Sequence, residues 1–282
     1  MSKDMGNFIP IGEEEKDLLI TLHDMVFLDM EYVQKFIYPA KSKQVVLRKV
    51  RNLEKEKYIK SFYTPKVDET GAKNIKIITL DKFGVEEVAA LTGEINWSNR
   101  WTKRSPAYIH HVLSLANIRA ACYAGKSSGF DLVSWVPERS SYFQYSSRKE
   151  EVIIPDGTMI FKRTVNDNSA YFAYFVEMER SRQRISVSQN KLRRYNDYVG
   201  HKAQQKHSIF PITPIGLMVT FISANENEML NLIEHTKNVT TNNLTNVLYS
   251  TYQDVIENPY GDIWRCKGRG EDKYPLRKIF KT

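Results

Sequence analysis

The sequence predicts a mixed α/β (α+β) protein in two parts, a small helical unit closed by a β-hairpin and a larger mixed sheet flanked by helices. Three observations predict it. Residues 13–92 place three amphipathic helical stretches ahead of a strand, turn and strand. From residue 106 onward, helical and strand periods alternate. Between the two parts, Glu94–Arg104 follows neither period.

In the first part, Glu13, Glu14 and Glu15 precede Leu18, Leu19, Leu22 and Met25, an acidic first turn followed by an apolar helical stripe. Asp29 can cap a short helix carrying Tyr32, Val33 and Phe36, which ends before Pro39. Ser42 can cap a third, Lys43–Glu56, whose Val46, Val50 and Leu53 share one face while Lys43, Arg48, Lys49 and Arg51 largely occupy others. Strand-like Tyr58–Tyr63, a turn through Asp68-Glu69-Thr70-Gly71 and Lys73–Leu80 complete a hairpin. Three helices and a hairpin are the order of a winged helix-turn-helix. Its third helix would enter a major groove and its lysine-bearing hairpin would touch phosphates; a basic helix can equally be a solvated face. The organisation expected is a winged-helix DNA-binding domain over 1–93, a linker over 94–104 packed through Trp97 and Trp101, and a second domain over 105–282. Arg100, Lys103 and Arg104 of the linker either rest on a DNA backbone or are solvated.

In the second part, Pro106–Ala124 is a helix with a broad apolar face; His110 and His111 beside it read as hydrogen-bonded core residues and not as ligands. Strands are expected over Phe130–Val136, Glu151–Lys162 and Ala170–Glu179, the last two joined through Val165-Asn166-Asp167-Asn168-Ser169. A basic helix covers Ser188–Val199, and the apolar run Ile215–Ser223 suits a central strand. An amphipathic helix, Asn225–Lys237, and a strand, Asn246–Tyr252, follow; the remainder reads as irregular and basic.

Composition narrows the partners. The chain has 282 residues, 41% hydrophobic, with net charge +8 and pI near 9.2. That balance favours an anionic partner, nucleic acid or a membrane surface. No cationic helix with a broad exposed apolar face is evident, so the membrane is set aside. Cys122 and Cys266 alone make neither a disulfide framework nor a cysteine zinc site. Met1-Ser2-Lys3-Asp4-Met5 lacks the apolar core of a signal peptide, and no apolar run approaches the roughly 18 residues of a membrane helix. A soluble, cytoplasmic protein is expected.

Chemistry concentrates in four residues. Glu177 and Glu179 are two apart on a strand and so point the same way. Adjacent carboxylates repel unless a cation lies between them or one holds a proton. Asp156 opens the preceding strand, and a hairpin would bring it beside them. Three hard oxygen ligands suit Mg²⁺ or Mn²⁺. Solvation, or pairing with Arg180 and Arg182, is the competing explanation. Glu138 and Glu151 are weaker ligand candidates, Glu151 being better read as a surface residue.

Pro155-Asp156, the acids Glu177-Met178-Glu179 and the order helix, strand, hairpin, helix, strand resemble the PD-(D/E)XK nuclease core. In that core an Asp opens one strand and an acid-x-Lys triplet ends the next. Glu179 stands where most members carry lysine, and Lys191 stands on the following helix, where some branches place it. With the winged helix in front, the chain resembles the replication-relaxation family and the MobC-class plasmid relaxases. Phe175-Val176-Glu177-Met178-Glu179-Arg180 and Lys191-Leu192-Arg193-Arg194-Tyr195 carry the likeness; His111–Asn117 and Trp135-Val136-Pro137-Glu138 add weaker support.

The resemblance implies a restriction-endonuclease-like mixed sheet in a plasmid mobilization protein. Such a protein binds the transfer origin and nicks one DNA strand, with relaxosome or coupling proteins as partners. No His-x-His-x-His cluster is present, which favours metal-dependent hydrolysis over a tyrosine transesterase. Asp156, Glu177 and Glu179 would then hold Mg²⁺ or Mn²⁺, and Lys191 would orient water or neutralise the phosphate. Arg180, Arg182, Arg184, Arg193 and Arg194 would grip flanking DNA. Tyr195 and Tyr198 would stack on an unpaired base or act as nucleophile, core packing being the alternative. The rival function is a non-catalytic DNA-binding accessory factor, or a replication or transcription regulator, on a degenerate nuclease fold.

Overall fold

A computed structural model of the chain describes residues 11–68, 71–93, 97–125, 127–166, 168–179, 185–210 and 212–278, without the side chains of residues 67 and 68. The chain divides into two compact units, Met1–Ala116 and Asn117–Thr282.

The acidic start of α1 (Glu13–Met25) meets the positive end of its helix dipole, and Glu15 accepts the Gly12 N–H at 3.2 Å. Leu18, Leu19, Leu22 and Met25 are buried as the stripe requires. After β1 (Leu28–Asp29), Asp29 caps α2 (Met30–Tyr32) by accepting the Tyr32 N–H at 2.8 Å; a π-helical turn, Val33–Ile37, extends it. Ser42 caps α3 (Lys43–Lys55), which buries Val46, Val50 and Leu53. β2 (Ile59–Asp68) and β3 (Gly71–Leu80) pair antiparallel from Ile59–Leu80 to Asp68–Gly71. β1 adds to β3, giving the order β1-β3-β2. Residues 69 and 70 of the expected turn lie outside the described residues.

The sequence reading did not anticipate α4 (Lys82–Thr92). Its Gly84 sits against the end of the preceding chain: an added Cβ would lie 2.0 Å from the Tyr58 carbonyl oxygen. That atom is backbone and cannot turn aside as a side chain would. Gly84→Ala is therefore expected to lower stability by about 3 kcal/mol, read as a fall in the denaturant midpoint. A midpoint like that of the wild type would mean that α4 does not pack on Tyr58.

The described part of the expected linker, 97–104, is ordered by packing. The Trp97 ring lies 6.1 Å from His23 of α1 and 5.8 Å, edge to face, from Trp101. Ser98 accepts the Arg100 N–H and starts a short 3-10 turn, Asn99–Thr102. This segment lies within the first unit, and the division between units falls inside α5 (Pro106–Ala124).

The second unit is built on a mixed sheet that, among the described residues, has the strand order β12-β11-β10-β9-β8-β7-β4. Its strands are β4 (Phe130–Pro137), β7 (Gly157–Val165), β8 (Asn168–Glu179), β9 (Gly216–Ser223), β10 (Asn246–Thr251), β11 (Trp264–Cys266) and β12 (Lys273–Tyr274). β8, β9 and β10 run parallel, and the remaining pairs are antiparallel. A separate two-stranded ladder joins β5 (Phe143–Gln144) to β6 (Val152–Ile153). α6 (Ile185–Gly200) links β8 to β9, α7 (Glu226–Thr236) links β9 to β10, and α8 (Tyr252–Glu257) follows β10. Each parallel step thus has its crossover helix. The order helix, strand, hairpin, helix, strand is present as α5, β4, β7–β8, α6 and β9.

Two expectations need correction. The single strand Glu151–Lys162 is divided: β6 pairs with β5, and β7 begins at Gly157. Pro155 offers no N–H to a ladder, so the chain breaks there and Asp156 starts afresh. The irregular end contains β11 and β12, two strands too short for a two-residue period to register. Trp264 and Cys266 are nevertheless buried.

Alternation along β8 decides what faces α6. Ala173 and Phe175 join Leu192, Tyr195 and Tyr198 of α6 and Val219 and Phe221 of β9 in one apolar cluster. Glu177 and Glu179 continue the same face to its end. Burying each large apolar side chain of that cluster contributes on the order of 2 kcal/mol.

Candidate active site

Asp156 is fixed by two bonds to β8. Its N–H donates to the Val176 carbonyl at 3.0 Å, and its Oδ2 accepts the Met178 N–H at 2.7 Å. The hairpin therefore holds Asp156 beside the segment carrying Glu177 and Glu179, as the sequence spacing anticipates. Glu138 follows Pro137, the register partner of Gly157, so it occupies the same end of the sheet. Glu151 instead faces Arg148 at 3.4 Å, a surface pair.

Both glutamates are buried, at 2% and 5% exposure. The Lys191 ammonium lies between them, 2.7 Å from Glu177 Oε2 and 3.1 Å from Glu179 Oε1. Tyr195 Oη donates a short hydrogen bond to Glu177 Oε1. Both oxygens of Glu177 thus accept from named donors. Ser223, the β9 register partner of Glu179, adds a buried hydroxyl to that face.

Two buried carboxylates share the Lys191 ammonium, with Asp156 close enough for its charge to act on Glu177. Burial, then the nearby charge of Asp156, pushes the Glu177 carboxyl up to about 7 against the pull of Lys191 and Tyr195. Lys191 is raised as well: burial alone would lower it, but Glu177 and Glu179 hold it charged, above the usual lysine range. The two shifts agree physically: neighbouring carboxylates hold the Lys191 proton, while burial disfavours the charged form of Glu177. Burial and then the Glu177 charge raise the Tyr195 phenol well above its ordinary value, so it remains a donor.

A stability prediction follows from the direction of the Glu177 shift. Its folded proton affinity exceeds the unfolded one, so its contribution is fully present below about pH 4.5 and is lost as pH rises through about 7. Glu177→Gln, which carries no charge at any pH, is expected to gain on the wild type by on the order of 2 kcal/mol between pH 5 and 8. Denaturant midpoints of both proteins across that range measure it. Parallel curves would mean that Glu177 stays ionised throughout.

The structure corrects the expected arrangement in two respects. Lys191 does not stand above a ring of three acids; its ammonium bridges two of them. Among the described residues, no three His, Cys, Asp or Glu side chains form a ready metal shell. Tyr195 and Tyr198 are not available for base stacking or nucleophilic attack. They are 2% and 0% exposed, and both pack on Phe175. An i, i+3 pair on an amphipathic helix faces its core, and the polar helix sequence disguised how deep that face lies. The signal for the real role of Tyr195 was its place one turn beyond Lys191, on the same face.

Arg180, Arg182 and Arg184 lie outside the described residues, as does Asp167 of the hairpin turn. Arg193 and Arg194 are exposed on α6, Arg193 donating to Asn190 Oδ1 at 2.8 Å. In the first unit Lys43, Arg48 and Arg51 are exposed on α3. Lys49 is half-buried and bound by Glu15 and, at 3.6 Å, by Glu14. Its assignment to DNA is corrected accordingly: an intramolecular pair already engages its charge. His110 Nε2 lies 2.7 Å from the Pro65 carbonyl, a structural role as expected.

A family match spans parts of both units. The sequence model described as Replication-relaxation matches residues 19–213, more than half of the chain and inclusive of Asp156, Glu177, Glu179 and Lys191. No curated protein matches. Similar solved structures include the restriction endonuclease FokI, at 11% identity and TM-score 0.29, and FokI bound to DNA, at 10% identity and TM-score 0.25. Each match covers 86% of this chain and 43% of the other, so this chain spans less than half of that enzyme's length. Through the match over 19–213, this chain belongs to the Replication-relaxation family.

Proposed function

We propose that the protein is a metal-dependent DNA endonuclease that nicks one strand at a plasmid transfer origin. The observation that carries this reading is the gathering of Asp156, Glu177, Glu179 and Lys191 at one end of β7–β8. Burial, and then the charge of Asp156, make Glu177 hold a proton more firmly than an ordinary carboxylate, as acids in functional sites often do. The donor set is hard oxygen and fits Mg²⁺ or Mn²⁺ once the Lys191 ammonium withdraws. Lys191 is 31% exposed on a flexible stem and can do so. Asp156 and Glu177 would then hold the ion, with Glu179 completing the shell or positioning water. A bound divalent ion polarises the phosphate and lowers the pKa of water.

The chain's own residues supply the rest. Tyr195 fixes the Glu177 carboxylate by its hydrogen bond. Lys191, released from the glutamates, offers its charge to the scissile phosphate. Arg193 and Arg194, exposed on α6, hold the flanking backbone. The first unit acts as a winged helix, with Lys43, Arg48 and Arg51 of α3 facing duplex DNA. The expected partners are duplex origin DNA, a displaced single strand and other relaxosome proteins.

One observation favours the second reading, a non-catalytic DNA-binding accessory factor or regulator. The bridge from Lys191 to both glutamates is an ion pair that could serve structure alone. Supercoiled plasmid carrying a transfer origin, incubated with the protein and Mg²⁺ or Mn²⁺, separates the two. Conversion to relaxed circle supports the nuclease; retained supercoils with bound protein support the accessory factor. Separately, Arg48→Glu with Arg51→Glu is expected to weaken duplex binding about 100-fold at low salt and to flatten its salt dependence by about two. Full binding in a gel-shift titration would remove α3 from the interface.

A further inference from the structure

The face of the sheet that carries Glu177 and Glu179 continues across β9 and β10. Register sets Glu179 beside Ser223 of β9, and Ser223 beside Thr251 of β10. Phe221 and Val219, two and four residues before Ser223, lie in one cluster with Leu192 and Tyr195 of α6. Ser223 therefore points to the same side of the sheet as Glu179. The pairing holds to its end, where the Ala224 N–H donates to the Glu179 carbonyl at 3.2 Å and fixes the backbone around Ser223.

Ser223 is 1% exposed, and its hydroxyl has no hydrogen-bond partner among the described residues. A buried hydroxyl without a partner costs free energy that an apolar side chain of like size would not. The other hydroxyl of β9, on Thr220, donates to the Phe175 carbonyl at 3.1 Å. Thr251, on the far side of Ser223, accepts the Asp254 N–H at 3.2 Å as the cap of α8. Of the two neighbours in the row, Glu179 is the carboxylate and so the stronger acceptor. The two glutamates also differ in how they are held. Glu177 accepts from Tyr195 as well as from Lys191, and Glu179 Oε1 accepts from Lys191. When the ammonium withdraws to admit an ion, Glu177 keeps Tyr195, while Glu179 gives up its Lys191 bond.

We propose that Ser223 is a positioning residue of the carboxylate site: its hydroxyl donates to Glu179 once Lys191 has left, and holds that carboxylate as Tyr195 holds Glu177. The assignment rests on the divalent-ion reading of the site given above. Adjacent strands lie about 4.8 Å apart, an interval that a serine and a glutamate side chain close to a hydrogen bond by rotation. A donor behind a ligating carboxylate fixes its orientation and strengthens the hold on the metal. Ser223 touches neither the ion nor the DNA in this role.

The test uses the full chain without DNA and Mn²⁺ alone as the probe, with the free ion followed by electron paramagnetic resonance. Ser223→Ala is expected to weaken Mn²⁺ binding about tenfold. Its metal-free urea midpoint is expected to equal or slightly exceed that of the wild type, since the substitution deletes an unpartnered hydroxyl. In the Lys191→Met background, where the ammonium is gone, Ser223→Ala is expected to lower the metal-free midpoint by about 0.5 M, because the hydroxyl has taken over Glu179. A merely structural hydroxyl would shift the two backgrounds alike. Undiminished Mn²⁺ affinity in Ser223→Ala, or equal midpoint shifts in the two backgrounds, overturns the proposal and leaves the ion site standing. Asp156→Asn marks the other failure. If the wild type takes up no Mn²⁺, or takes it up no more tightly than Asp156→Asn, the divalent-ion reading falls and the proposal falls with it.

Discussion

Replacing Asp156 by asparagine is expected to lower plasmid nicking at least about 100-fold while fold and duplex binding stay intact. The substitution is selective because Asp156 has two separable roles. Its Oδ2 accepts the Met178 N–H, and an asparagine carbonyl oxygen can do the same. What asparagine removes is the negative charge that acts on Glu177 and that would help to hold a divalent ion. Glu177→Gln is expected to act alike, with its amide placed between Lys191 and Tyr195. Relaxed-circle formation in Mn²⁺, set beside a gel shift on the same DNA, reads both quantities. Undiminished nicking in Asp156→Asn would remove this site from the chemistry.

Replacing Lys191 by methionine is expected to destabilise the protein by about 3 kcal/mol near pH 8. It leaves two buried carboxylates facing each other without the ammonium that bridges them. The penalty is expected to shrink near pH 5, because Glu177, with its proton affinity pushed up to about 7, then takes a proton and the repulsion falls. Mn²⁺ is expected to recover more stability in this variant than in the wild type, since the Lys191 ammonium no longer competes for the space between the acids. Denaturant midpoints at both pH values, with and without Mn²⁺, test each part. Equal midpoints for variant and wild type would mean that the bridge contributes nothing.

Where the sequence spoke clearly, its signals were long or local. α5 has nineteen residues with a broad apolar face, and its limits, Pro106–Ala124, coincide with those read from the pattern. Asp29 and Ser42 cap the helices they were expected to cap, because a cap is a contact within three residues. Gly216–Ser223 is buried at every position between two parallel neighbours, as an uninterrupted apolar run suggests. α4 went unseen because its signal sits directly behind a strand, at Asp81. β11 and β12 went unseen because their pairing partners lie elsewhere in the chain.

The carboxylate site divides along the same line. Alternation on one strand suffices to put Glu177 and Glu179 on one face, and the hairpin to bring Asp156 beside them; these are consequences of covalent order and a two-residue period. Tertiary structure alone decided how deep that face lies, because depth depends on α6 closing over β8. Closure made Tyr195, which the sequence left open between a DNA-facing ring and a core residue, the donor that holds Glu177. It also set the Lys191 ammonium between the acids, and in the first unit the packing of α1 and α3 engaged Lys49 with Glu15. Periodicity tells which side chains share a direction. Only packing tells what lies in that direction, and the charge on a buried acid follows from its neighbours.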